Sequence, residues 1–390
     1  MQPAGAIGQG SCPVCSGRNL WRSVEFDALP ILCNDLHADM AAAKKADTGR
    51  FVTTFCRDCE HLFNAAFDEK RISYAQSYEN SLHYSPRFVE FSEALAARLN
   101  RRYALRGKSV VDIGCGKGDF LKRLCALSGA VGWGFDKSFE ESRGDPALDV
   151  TFVNDWFCDG YADIRPDMVL CRHVLEHIAD PVSFLRQLRG HPGVSDETVF
   201  YFEVPNALYT LRDLGIWDLI YEHVSYFTPR SLQTAFMRAG FDILETGASF
   251  GEQYLYIEAK LGVERPVAPN DGKYVDQLVQ SFDHAYHEKV DYWRDYLALR
   301  DPSQTVVWGA GSKGITFVNV VPGADLIATL VDVNPHKQGR FVPRTGARVV
   351  SKQALTTQPV QSIIIMNALY REEIATEVAS LGLSSEIVVA

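Results

Sequence analysis

The segment Trp217-Asp218-Leu219-Ile220-Tyr221-Glu222-His223-Val224-Ser225-Tyr226-Phe227-Thr228-Pro229 crowds an imidazole, carboxylates, phenols and an indole into a few positions. An imidazole titrates near neutrality, and an adjacent acid can orient it or raise its basicity, so His223 is the candidate general base, with Glu222 and Tyr221 as its helpers. The plain alternative is a hydrogen-bonded structural histidine. Upstream, Arg172-His173-Val174-Leu175-Glu176-His177 adds two more imidazoles. Their H-x-x-x-H spacing resembles a metal pair on a helix, but the H-E-x-x-H pattern and its usual third ligand are missing, so His173 and His177 read better as polar walls of a site.

A second kind of chemistry belongs to cysteine. Cys12-Pro-Val-Cys15 and Cys56-Arg-Asp-Cys59 are two C-x-x-C knuckles far apart in the chain. Four thiolates in that arrangement close a tetrahedral zinc site that leaves no open position, which makes the metal structural. Cys33 and His61 are the reserve ligands. The nine cysteines are an odd number in a chain without a signal-peptide pattern, which argues against a disulfide framework. A nucleic-acid zinc finger would need a basic helix, and the net charge of −10 speaks against binding a phosphate backbone non-specifically.

The third pattern is Ser109 to Leu121, SVVDIGCGKGDFL. Val110, Val111 and Ile113 make a short buried strand; Gly114, Gly116 and Gly118 follow where the backbone turns, and a helix begins. Val131 to Phe135 make a second strand that ends on Asp136, an acid suited to the two hydroxyls of a ribose. The glycines are spaced G-x-G-x-G, and Asp112 stands before them, where it would repel a pyrophosphate and accept an ammonium. S-adenosylmethionine, with an amino group and a sulfonium, fits better than NAD, and the stretch resembles the class I S-adenosylmethionine-dependent methyltransferases. A third strand, Asp149 to Val153, leads to Asp155 and Trp156, candidates for the adenine amino group and the base face; a helix N-cap at Asp155 is the plain alternative.

These groups need elements to hold them. Asp167 to Cys171 and Val199 to Val204 read as the fourth and fifth strands, whose carboxyl ends carry the His173 segment and Glu203. Thr228 caps a helix with Pro229 in its first turn, and GFDIL and YLYIEAK close the sheet as a hairpin. Between the knuckles and the helix that starts at Pro86, a segment with Tyr74, Tyr78, His83 and Tyr84 is either a lid or a surface linker, and Tyr78 is its candidate contact. The boundaries fall at 1–84, 85–262 and 263–390, the last opening on the Pro- and Gly-rich GVERPVAPNDGK. After a long amphipathic helix from about Tyr274 to Leu299, a second strand–glycine–helix unit begins, with Gly309, Gly311 and Gly314 spaced G-x-G-x-x-G. Asp332 lies as far beyond Gly314 as Asp136 lies beyond Gly118, which suggests an internal duplication. An NAD site is one use of this loop; receipt of an anionic substrate at the helix N-terminus, with Lys313 and with Lys337, Arg340 or Arg344, is the other. With 46% apolar residues the chain can bury such cores, and with no apolar run near membrane length the expectation is a soluble, cytoplasmic protein without membrane partners.

Taken together, the paired knuckles, DIGCGKGDFL, RHVLEHI, EHVSYFTP, GEQYLYIEA, WGAGSKGITFVN and VDVNPHKQGRFVP resemble the sugar C-methyltransferases of deoxysugar biosynthesis. The resemblance implies an α/β protein: a class I methyltransferase (Rossmann-like) core behind an N-terminal zinc-binding subdomain and lid, followed by a second, smaller Rossmann-like C-terminal domain. It implies S-adenosyl-L-methionine and structural Zn2+ as cofactors, a nucleotide-linked keto sugar as substrate, His223 as the base that takes the proton beside the ketone, and Tyr78 as the lid tyrosine. The family often reads Y-H-E-H where this chain has Tyr221-Glu222-His223, so the setting of the base departs from the pattern.

Overall fold

The computed structural model describes residues 10–73, 78–140, 145–266 and 273–390, so Tyr74 and part of the 262–273 linker lie outside the described residues. The N-terminal unit contains three antiparallel strands: β1 (Leu20–Pro30), β2 (Thr48–Cys56) and β3 (His61–Asn64). The two knuckles sit at one end of this sheet, where Leu20 pairs with Cys56.

The central unit supplies β4 (Ser109–Ile113), β5 (Val131–Phe135), β6 (Val150–Val153), β7 (Met168–Arg172), β8 (Val199–Pro205), β9 (Ser225–Tyr226), β10 (Phe241–Ser249) and β11 (Tyr254–Leu261). Seven of these form one sheet in the order β10-β11-β8-β7-β4-β5-β6, parallel except where β11 runs against β8 and β10. β4 to β8 are largely apolar because helices cover both faces. The chain leaves β4 for β5 and β6, then crosses to β7 on the other side, so a switch point opens between β4 and β7 at their carboxyl ends. β9 leaves this unit and pairs with β3, lengthening the N-terminal sheet with the strand that directly follows His223.

The expected helices are present at Pro86–Tyr103, Pro229–Arg238 and Lys273–Ala298. Thr228 caps the second, its hydroxyl accepting from the Ser231 N–H while the Ser231 hydroxyl accepts from the Thr228 N–H. The C-terminal unit is a five-stranded parallel sheet: β12 (Thr305–Trp308), β13 (Thr329–Val331), β14 (Arg348–Val350), β15 (Ser362–Ile365) and β16 (Glu386–Val389), in the order β14-β13-β12-β15-β16. This repeats the order β6-β5-β4-β7-β8 strand for strand. The two acids at equivalent distances do the same work: Asp136 accepts from the Gly116 and Ser138 amides at 2.8 and 2.6 Å, and Asp332 from the Ala310 and Asn334 amides at 2.9 and 2.8 Å.

The three units share one large hydrophobic cluster. It joins Phe51 and Phe55 of the first sheet, Trp217 and Tyr221 of the central unit, Trp293 of the long helix and Phe317 of the C-terminal unit. His37 and Phe341 exchange backbone hydrogen bonds of 3.0 and 2.9 Å, tying the first unit to the last.

All three loop glycines have positive φ, and they differ in what a side chain would meet. A Cβ on Gly118 would lie 2.4 Å from the Phe152 ring, whereas at Gly116 the nearest atom is 3.6 Å away. Gly118→Ala therefore meets strain and collision together, and Gly116→Ala only the strain of a left-handed alanine. Chemical denaturation should show Gly118→Ala losing on the order of 3 kcal/mol and Gly116→Ala about 1; equal losses would contradict this packing.

Candidate functional site

The site is built on the carboxyl ends of β7 and β8. Arg172 ends β7, and its guanidinium donates twice to the Glu203 carboxylate of β8, at 2.8 and 3.0 Å. Glu203 also accepts from the Tyr201 and Ser249 hydroxyls and lies 3.2 Å from the His173 ring. Burial works to raise the Glu203 pKa, but Arg172 and His173 overcome it and hold it at about 2. Burial likewise works against a charged His173, yet Glu176 at 3.6 Å and Glu203 raise its pKa to about 9. His173 has φ +55°, a strained value for a non-glycine residue, and its ring meets Tyr254 edge to face. It is thus a cation held between two buried carboxylates beside the switch point.

Behind it, Glu176, His177 and His223 converge: one donor atom from each lies within 4.8 Å of the others. His177 Nδ1 lies 2.9 Å from the Glu222 carbonyl oxygen, to which it donates. The His177 and His223 rings are 4.8 Å apart. Burial, then His177 and His173, push the His223 pKa well below its usual value, so its imidazole is neutral at physiological pH. Glu176 is 1% exposed and neither carboxylate oxygen has a hydrogen-bond partner among the described residues.

Glu222 is fully buried and reaches the other units. Its carboxylate accepts from the Cys33 N–H at 2.9 Å and from the Tyr78 hydroxyl at 2.8 Å. The segment ahead of the Pro86 helix is therefore fastened at Tyr78; His83 is bonded to Ser92 at 3.0 Å, and Tyr84 stands near His336. The Tyr221 hydroxyl accepts from the Asp68 N–H at 3.0 Å, and its ring packs on Phe67 and over Gly49 of the N-terminal unit.

On the other side of the switch point lie Asp112, Gly114, Gly116, Gly118 and Asp136. Asp112 is 4% exposed, and burial lifts its pKa to about 7 despite the opposing Arg172. Asp155 caps no helix; it pairs with Lys137 at 2.8 Å and accepts from the Tyr161 hydroxyl at 3.0 Å, which, led by Lys137, lower its pKa to about 2. Trp156 beside it is exposed. Among the cations suggested for the second glycine loop, Lys337 is buried on the Asn34 side chain and the Ala310 carbonyl, Arg344 donates to the Ala28 carbonyl, and Lys313 pairs with Asp218 at 3.1 Å. Lys337 and Arg344 therefore hold units together and do not wait for an anion. Sequence reasoning missed Glu176 and Glu203 as the carboxylates that set the charge of His173; their positions beside the strand ends were the available signal.

The four knuckle sulfurs converge within 4.8 Å, with Cys12 and Cys59 3.6 Å apart and Cys15 and Cys56 3.4 Å apart. Such distances suit four thiolates around one tetrahedral cation. Cys33 sits instead beside Glu222, and His61 is buried against Phe63 and Phe227.

Residues 87–246 match the family model of a methyltransferase domain, and residues 274–387 match that of a C-methyltransferase C-terminal domain. The chain carries a methyltransferase domain. That domain has the mixed α/β fold described above. Among curated proteins, ubiquinone biosynthesis O-methyltransferases are similar: that of Neisseria meningitidis serogroup C is 32% identical over 21% of this chain and 38% of its own length, and that of Nitrosospira multiformis 29% identical over 38% and 68%. The chain thus spans little over a third of the first of these relatives. Among solved structures, magnesium protoporphyrin IX methyltransferase from Synechocystis PCC 6803 with bound SAH has a TM-score of 0.35 at 18% identity, covering 45% of this chain and 84% of that one. The 1,6-didemethyltoxoflavin-N1-methyltransferase of Burkholderia thailandensis gives 0.35 at 17%, covering 45% and 80%. No helix among the described residues is long and apolar enough to cross a membrane.

The raised Asp112 pKa has a consequence for stability. In the ligand-free protein the folded state holds this proton more tightly than the unfolded chain, so its contribution is full below about pH 4 and is lost as pH rises through about 7. Asp112→Asn cannot ionise, and the fall in unfolding free energy between pH 5 and pH 8 should shrink by about 2–3 kcal/mol. An unchanged pH profile in denaturant melts would show that Asp112 is not desolvated.

Proposed function

We propose that the protein transfers a methyl group from S-adenosylmethionine to a carbon beside a ketone in a small metabolite, with a nucleotide-linked keto-deoxysugar as the substrate class. The observation that carries C-methylation is the match of residues 274–387 to the C-terminal domain of C-methyltransferases. The sugar rests on the motif resemblance alone.

In this reading the switch point between β4 and β7 receives the donor. Gly114, Gly116 and Gly118 let the backbone approach it, Asp136 and Asp155 face its ribose and adenine ends with Trp156 over the base, and Asp112 takes its ammonium. The donor supplies an electrophilic methyl group on a sulfonium. Its acceptor lies on the His223 side. A carbon next to a carbonyl is acidic because its carbanion is an enolate, and His223, neutral and with a free lone pair, takes that proton. Glu222 fixes the segment that carries His223 and, with Tyr78, places a hydroxyl at the wall of the site. The His177 ring packs beside that of His223, and the cationic His173 is the group able to stabilise a developing oxyanion. Cys12, Cys15, Cys56 and Cys59 hold a structural zinc, which fits four sulfurs that would otherwise repel one another as thiolates.

The named O-methyltransferase relatives support a second reading, methyl transfer to an oxygen or nitrogen of a non-sugar metabolite. Deuterium on the substrate separates the two. With a keto-sugar nucleotide deuterated at the carbon beside the ketone, the C-methylation reading requires loss of one deuteron per methyl transferred, and a methylated product that keeps every deuteron would sink that reading. His223→Ala should lower kcat by about 10²–10⁴-fold while donor affinity measured by calorimetry persists; turnover at the wild-type rate would remove His223 from the base role. Metal analysis should find one zinc per chain, and Cys56→Ser should lose it together with the cooperative melting of the N-terminal unit.

A further inference from the structure

The second parallel sheet has a crevice of its own. β12 comes first, β13 and β14 lie to one side and β15 and β16 to the other, so the switch point falls between β12 and β15. Open α/β sheets take ligands outside the carboxyl ends of the strands at such a point. There the protein has a cavity of about 390 Å³, walled by Lys313, Met366, the long helix with Lys289 and Trp293, and Tyr209 and Trp217 of the central unit. That volume lies within the range of small-molecule sites.

The wall carries groups that packing alone does not explain. Lys289 donates to the Leu214 carbonyl at 2.8 Å and stands 5.7 Å over the Trp217 ring; among the described residues no carboxylate forms an ion pair with it. Burial, helped by the neighbouring Lys313 charge, lowers its pKa to about 8, so it remains a cation at neutral pH with donors to spare. Trp217 is 1% exposed, and its indole N–H has no hydrogen-bond partner among the described residues. A buried donor of this kind is nearly always satisfied. Lys313, compensated by Asp218, stands 5.0 Å over the Tyr209 ring.

We propose that this cavity is a second ligand site, separate from the His223 site, for a planar ring bearing an anionic group. The ring lies against Trp217, Trp293 and Tyr209, and the anion takes the Lys289 ammonium. The two sites share a wall: Trp217 and His223 belong to one segment, and the helix Ser312–Val320 turns Lys313 toward the cavity while Thr316 faces Cys33, which donates to Glu222. The ring and anion could belong to a nucleoside phosphate or to an aromatic carboxylate.

The full chain, saturated with S-adenosylhomocysteine so that the donor site is filled, is titrated with AMP and separately with benzoate, by calorimetry and tryptophan fluorescence. One probe should bind at one site per chain and change the fluorescence; AMP identifies a nucleotide source, benzoate an aromatic acid. Lys289→Gln should weaken that probe at least tenfold, Trp217→Phe, which keeps a ring and loses the N–H, several-fold, and wild-type affinity should fall as pH rises past 8. Donor affinity stays unchanged in both variants, so the result is independent of the methyl-transfer reading. No binding of either probe at millimolar concentration, or equal binding by Lys289→Gln, overturns the proposal.

Discussion

A buried carboxylate, Glu222, holds the site together. Taking a charged carboxyl out of water costs far more than any single contact returns, and the cost is met only when hydrogen bonds surround it. Two such bonds come from other parts of the chain: the Cys33 amide of the N-terminal unit and the Tyr78 hydroxyl ahead of the Pro86 helix. The geometry around His223 is therefore tied to both of these segments. Its next neighbours, Ser225 and Tyr226, extend the N-terminal sheet as β9, so the segment is fixed by backbone pairing as well.

The second constraint is charge balance at the ends of β7 and β8. Arg172 and a protonated His173 face Glu203 and Glu176, and this arrangement divides the histidines by role. His173, between two carboxylates, is held protonated; His223, buried beside other imidazoles, is held neutral. Side chains of one type thus acquire opposite charge states within one cluster, because each takes the charge its buried neighbours favour. Glu176, His177 and His223 also have the donor set of a three-ligand cation site.

The two parallel sheets show how one local design is put to different uses. Both place a glycine turn after the first strand and an acid after the second, and in both the acid accepts from a turn amide and from the amide two residues beyond it. In the central unit the turn opens on the crevice beside Asp112. In the C-terminal unit Lys337 clamps the Ala310 carbonyl and the Asn34 side chain, so the equivalent loop also fastens the N-terminal unit. The crevice of that sheet is left to Lys289, Lys313 and the aromatic wall.

Local patterns were legible in the chain by itself. Short apolar runs followed by glycines place β4 and β12, the hydroxyl–proline pair at Thr228 and Pro229 starts a helix, and the two C-x-x-C pairs assemble, because each is a matter of backbone preference or ligand spacing within a few residues. What only tertiary structure decided is which distant group each polar side chain meets. Tyr221 and Glu222 are adjacent in sequence, yet one hydroxyl goes to Asp68 and the other side chain to Cys33 and Tyr78. Arg344 and Lys337 looked like anion receivers; Arg344 is spent on the Ala28 carbonyl of the N-terminal unit, and Lys337 on the Asn34 side chain of that unit and the Ala310 carbonyl of its own. A buried charge takes whatever partner packing brings within hydrogen-bonding distance, and that choice is made between surfaces hundreds of residues apart, where no local pattern records it.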